Sequence, residues 1–230
     1  MGARKYRWLV VSLAFGIGFW LLGWLIPDGP WHMAVKGCAV AALAVFAFER
    51  ANSVSRPIAM VMVFGALGDV LIEIDLEIGA LAFLCGHCFA CWFYVTNRRR
   101  LRWVDAPVGA ALLIGIPALT ALLLPERTGV LAYACGLAAM TVGAWISRFR
   151  RDRVAAGAVL FAVSDLLLFA HLGPLAGSVV PGLLVWPLYY FGQVLIVDGV
   201  VNRPQLMITA SRASRVSGRV AIATESGRAP

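Results

Sequence analysis

Apolar stretches of about 20 residues recur along this chain between short polar connections, and nothing else in it restricts the fold so severely. A helix rises 1.5 Å per residue, so roughly 20 apolar residues cross a hydrocarbon core about 30 Å thick. Eight such spans are predicted: Trp8 to Ile26, Trp31 to Phe48, Pro57 to Ile74, Ile78 to Val95, Ala106 to Leu124, Thr128 to Ile146, Arg153 to His171 and Ser178 to Val201. Turn chemistry marks the breaks at Pro27-Asp28-Gly29-Pro30, Pro125-Glu126-Arg127-Thr128 and Gly173-Pro174. The first span follows Arg4, Lys5 and Arg7 as a signal peptide would. It runs on to Ile26 without a small-residue cleavage site, so it reads as a retained helix.

With 61% apolar and 14% charged residues, the chain departs from soluble composition. The expectation is an all-α polytopic membrane domain over residues 1–202 and a basic, disordered cytoplasmic tail over 203–230. The tail's arginines serve as a solvated orientation signal or touch anionic headgroups. The net charge of +8 raises the question of nucleic acid, and the placement of the charges answers it. Eighteen of the 20 Lys and Arg residues fall in the N-terminal segment, the 50–56, 98–102 and 148–153 connections, and the C-terminal tail. All of these lie on one side of the eight-span topology. Arg127 stands alone in an opposite-side loop and Lys36 lies within a span. Both termini are therefore expected on the cytoplasmic face, with no nucleic-acid partner. The Ala, Gly, Val and Arg bias points to a bacterial inner membrane.

Ionisable side chains inside a bilayer cost at least about 2.5 kcal/mol each, which makes them functional candidates. Lys36, Asp69, Glu73, His87 and Asp165 qualify. Helical rise puts Lys36 roughly 8 Å below the outer boundary, Asp69 and Asp165 about 12 Å, and His87 about 14 Å. Tyr189, Tyr190 and Gln193 fall between about 16 and 23 Å, within reach of the same cavity. Asp69 and Glu73 are four residues apart, as are Tyr189 and Gln193, so each pair shares a helix face. One lysine–carboxylate pair holding the bundle together explains part of this set. The surplus carboxylates and the histidine point to function.

Gly68-Asp69-Val70-Leu71 and Ser164-Asp165-Leu166-Leu167 form a faint repeat, which suggests two four-helix halves of like orientation with a site between them. Cys85-Gly86-His87-Cys88 copies a disulfide-isomerase tetrapeptide, but its place in an apolar span argues against redox chemistry, and zinc spacing is missing. Glu73, Asp75 and Glu77 form an acidic outer mouth, either a solvated loop or a receiver for a cationic headgroup.

At these same residues the chain resembles the YhhN family of membrane proteins, which includes the lysoplasmalogenases. The resemblance is carried by Lys36, Gly68-Asp69-Val70-Leu71, the segment Gly79 to Tyr94 with His87, Gly157-Ala158-Val159-Leu160-Phe161 leading to Ser164-Asp165, and Tyr189-Tyr190-Phe191-Gly192-Gln193-Val194-Leu195-Ile196. Two departures are visible. Gly37 stands where the family commonly has proline, and Ala90 where it has a tyrosine, with Tyr94 one turn on.

The resemblance implies hydrolysis of the vinyl ether bond of a lysoplasmalogen to a fatty aldehyde and glycerophospho-ethanolamine or -choline. Vinyl ethers hydrolyse by protonation of the β-carbon, an oxocarbenium-like cation and water addition, so an acid and a cation-stabilising base are required. Asp69 and Asp165 are the expected catalytic pair, with His87 relaying protons or holding water. Lys36, Glu73, Ser164, Tyr94, Tyr189, Tyr190 and Gln193 are the expected substrate- or water-orienting residues. Partners are then a lysophospholipid, water and membrane lipids, with no cofactor and no metal. The sequence sets no oligomeric state. A transporter or lipid-binding protein using the same buried charges is the rival reading, and a purely structural role stands third.

Overall fold

A computed structural model describes residues 3–27 and 29–202. The expected disordered tail, 203–230, lies outside the described residues, as does Asp28 of the first turn. The described residues form eight α-helices: α1 (Arg7–Leu22), α2 (Pro30–Arg50), α3 (Pro57–Leu71), α4 (Leu76–Thr96), α5 (Asp105–Leu123), α6 (Thr128–Ile146), α7 (Ala156–His171) and α8 (Val179–Val201). A short 3-10 turn, Gly23–Leu25, extends α1, and a π-helical turn, Arg151–Ala155, leads into α7. No named strand occurs among the described residues.

Local chemistry accounts for the boundaries. Pro30 and Pro57 open α2 and α3 from the first helical turn, where a missing N–H costs nothing. Asp75 ends the turn after α3 by accepting from the backbone N–H groups of Glu77 and Ile78, 2.9 Å each, and so caps α4. That capped turn stops α3 at Leu71. The predicted span to Ile74 is too long, and Glu73 sits in the turn instead of one helical step beyond Asp69.

Among the described residues, seven segments are long and apolar enough to cross a membrane; α3, at 15 residues, is shorter. Their outward faces carry large apolar side chains, with Trp24 81% and Trp103 85% exposed at opposite ends of the bundle. A surface of this kind suits lipid.

Successive helices α1 to α4 pack as neighbours, α4 continues against α6, α5 packs on α6, and α7 pairs with α8, which returns against α1, α2 and α3. The α7–α8 contact is glycine on glycine. A Cβ at Gly157 would lie 2.5 Å from the Gly192 carbonyl oxygen, and one at Gly192 2.7 Å from that of Gly157. Pro187 lies inside α8 and has no N–H to give Leu183, whose carbonyl accepts from the Trp20 indole of α1 at 3.3 Å. A helix defect thereby becomes a link between helices.

Charges concentrate at the end of the bundle where α1 begins and α8 stops. Arg7 pairs with Glu49 at 2.6 Å, Arg99 and Arg151 both pair with Asp105, and Arg153 pairs with Asp198 at 3.3 Å. At the opposite end, Lys36 pairs with Glu73 at 2.6 Å, with His32 Nδ1 3.4 Å from the same carboxylate.

Candidate active site

Among the described residues, two buried carboxylates, Asp69 and Asp165, are each held by a tyrosine from another helix. Asp69 of α3, 4% exposed, accepts from the Tyr189 hydroxyl of α8 at 2.8 Å. Asp165 of α7, 8% exposed, accepts from the Tyr133 hydroxyl of α6 at 2.6 Å. The Tyr133 oxygen lies 3.0 Å from His87 Nε2 of α4. With Tyr133 donating to Asp165, that oxygen is left to accept from the imidazole, so the polar chain runs His87 to Tyr133 to Asp165.

Gln193, one turn beyond Tyr189, is fully buried beside Gly65. A Cβ at Gly65 would lie 3.0 Å from Gln193 Nε2 and 3.5 Å from the Tyr189 oxygen, so glycine leaves room for both. Phe83 and Phe161 separate the two carboxylate pairs. Their rings stand edge-on to Tyr189 at 5.8 and 5.1 Å, and Phe161 also packs against His87 at 5.3 Å. The two rings meet edge to face at 6.2 Å and form an aromatic wall there.

Two cavities adjoin the pairs. One of about 630 Å³ runs between α4, α6 and α7, with Tyr133 and Asp165 among its deepest lining and Glu77, Glu126 and Arg127 from the connecting turns. That size lies within the roughly 300–1,000 Å³ of small-molecule sites. The other, about 20 Å³, is lined by Gly65, His87, Tyr94 and Gln193, room for about one water molecule. Phe83 contributes to the walls of both.

A model of the YhhN family matches residues 31–200, from the first turn of α2 to the last of α8. The chain belongs to the YhhN family. No curated protein and no solved structure matches it. The YhhN match leaves out α1 and takes in Lys36, Asp69, His87, Tyr133, Asp165, Tyr189 and Gln193.

Not every residue expected at the site of this YhhN protein joins the group. Lys36 turns to Glu73 at 2.6 Å, between the Phe19 and Trp186 rings, with His32 Nδ1 3.4 Å from the same carboxylate. Those charges sit outward of Asp69. Asp75 is occupied by capping, so of the three acidic mouth residues Glu77 reaches the large cavity. Tyr94 lines the small cavity while packing against Phe149, with its Cβ close beneath Gly143. Ser164 faces α8, donating to the Val185 carbonyl at 2.8 Å, and lies away from the carboxylates. Cys85 and Cys88 are exposed free thiols on the outer surface of α4, whereas His87 between them points inward.

Tyr190 is also turned away from the pair, as adjacent helical residues point about 100° apart. Its hydroxyl meets Ser12 of α1 at 2.8 Å, Ser12 donates to the Ala39 carbonyl at 2.6 Å, and its ring stacks on Trp186 over Gly16. This geometry joins α1 to the YhhN-matched helices. Tyr190→Phe is expected to lower stability by about 1 kcal/mol, the value of one buried hydrogen bond. Thermal unfolding in detergent checks this; unchanged stability would mean that the Tyr190–Ser12 contact does not hold α1. Tyr133 was missed in the sequence, where a lone tyrosine in an apolar span carries no pattern of its own.

Proposed function

We propose that this YhhN-family membrane protein is a lysoplasmalogenase-type ether hydrolase. It spans the bilayer eight times, α3 included, with both termini cytoplasmic, in a bacterial inner membrane. One observation carries the enzymatic reading: a buried carboxyl, Asp165, is oriented by Tyr133 and His87 at the inner end of a cavity large enough for a lipid headgroup and glycerol. A second carboxylate, Asp69, is held nearby by Tyr189.

The chemistry divides between the two. Asp165, which lines the cavity, donates a proton to the β-carbon of the vinyl ether, leaving positive charge shared by the α-carbon and the ether oxygen. The negative charge on Asp69 stabilises that cation across the aromatic wall, whose ring faces assist. Water held by His87 and Gln193 adds to the α-carbon and returns a proton to the carboxylate. The hemiacetal then collapses to a fatty aldehyde and the free glycerol hydroxyl, with one water consumed. No metal or organic cofactor enters these steps.

Purified protein in detergent is expected to release aldehyde from a vinyl-ether lysolipid and nothing from the saturated-ether or ester analogues. Release from the ester would make it an acyl hydrolase, and silence from folded protein would remove the enzymatic reading. Transport by the same buried groups needs sealed vesicles and leaves its lipid intact, so aldehyde formed in detergent separates the two.

A further inference from the structure

Arg127 stands at the rim of the large cavity, as the residue that precedes α6. Its guanidinium makes no hydrogen bond or ion pair with the described residues. Thr128 and Gly129 of the first turn line the same space, and that turn has no side-chain cap. An exposed, unpartnered cation beside uncapped helix amides suits an anionic oxygen group. Glu77 and Glu126 stand on the same rim, giving it charge of both signs. The opposite end of the cavity is Tyr133 with Asp165, and its walls between are Leu84, Leu168 and Phe169.

We propose that this cavity holds a zwitterionic single-chain phospholipid in one orientation, with its phosphate on Arg127 and the first turn of α6. Its ammonium group then lies near Glu77 and Glu126, and its sn-1 oxygen beside Tyr133 and Asp165. Spacing supports the orientation. Six residues separate Arg127 from Tyr133, a rise of about 9 Å. Five bonds separate the phosphorus from the sn-1 oxygen, about 6 Å end to end. The arginine side chain, reaching along the cavity, covers the difference. Arg127 is thereby a headgroup-binding residue, and the arrangement deepens the hydrolase reading above, on which the sn-1 placement rests.

Binding of a tritiated saturated-ether (1-O-alkyl) lysophosphoethanolamine to the purified full-length protein tests this without catalysis, with the phosphate-free alkylglycerol as the second probe. Arg127→Gln is expected to weaken the phospholipid by about tenfold or more and the alkylglycerol by less than about twofold, the loss of a charge-assisted contact. Gly129→Trp is expected to weaken both, since a Cβ there has no atom within 4 Å to displace and the ring extends into the cavity. Unchanged phospholipid affinity in Arg127→Gln, or unchanged binding of both probes in Gly129→Trp, overturns the site. So does displacement of the lipid by millimolar inorganic phosphate, which would assign Arg127 to free phosphate. Arg127-dependent binding by a wild-type protein that releases no aldehyde would keep the site and remove the hydrolase. Aldehyde release with Arg127→Gln binding like wild type would do the reverse.

Discussion

Asp165→Asn is expected to lower aldehyde release from a vinyl-ether lysolipid by about a thousandfold, with insertion and fold unchanged. Asparagine keeps the shape of the side chain and still offers Tyr133 an oxygen to bond, so the His87–Tyr133 arrangement survives. What it lacks is the proton. General acid catalysis contributes about 10²- to 10⁴-fold, which sets the scale of the loss. Asp69→Asn is expected to fall in the same range, because an amide accepts from Tyr189 but carries no charge to oppose the cation. Tyr133→Phe, which misplaces the acid without removing it, should cost less, on the order of tenfold to a hundredfold. Initial rates on protein that elutes as one monodisperse peak and retains its helical circular dichroism are the measurement. Full activity in both asparagine variants would end the paired-carboxylate mechanism.

The second large effect concerns the scaffold. Gly157→Leu is expected to destabilise the protein by about 3 kcal/mol and to take activity with it. The first atom of any side chain at 157 meets the Gly192 carbonyl at 2.5 Å and the Ile196 backbone nitrogen at 3.1 Å, and neither can rotate aside. The helices must separate, and they carry the site: Asp165 lies about two turns along α7 from Gly157, and Tyr189 just under one turn before Gly192 on α8. Gly115→Leu is the control. A Cβ at Gly115 in α5 meets nothing within 4 Å, and replacing a helical glycine gains helix propensity. Detergent unfolding midpoints should separate the two variants clearly; equal midpoints would mean that the α7–α8 contact is looser than its geometry.

The helices were legible in the sequence because their interruptions are chemically explicit, as at Pro57, Gly173-Pro174 and the acidic turn before α4. A shared level was legible for His87 and Asp165, which the rise per residue puts close in height and which meet through Tyr133. Pairing was not. Helix α8 is apolar nearly all round, so no stripe distinguishes Tyr189, which meets Asp69, from Tyr190, which meets Ser12. Lys36 has two carboxylates at comparable depth, and the capped turn at Asp75 decides for Glu73 by holding it outside α3. Tyr133 escaped because, unlike Tyr189 with Gln193 one turn on, it has no polar residue at helical spacing to mark its face. A buried phenol also needs a partner, and its depth of about 8 Å places it near the same layer.

The uneven placement of ion pairs has a mechanical consequence. At the arginine-rich end, Glu49, Asp105 and Asp198 tie α1 to α2, the start of α5 to the turn before α7, and that turn to α8. At the other end, the one ion pair between described residues, Lys36 with Glu73, ties α2 to the turn after α3, so no such clasp among them crosses the mouth between α4, α6 and α7. The described ion pairs thus fasten the bundle along its base and leave its lips unfastened, the arrangement that the proposed lipid hydrolysis calls for if the chain is to enter sideways from the bilayer.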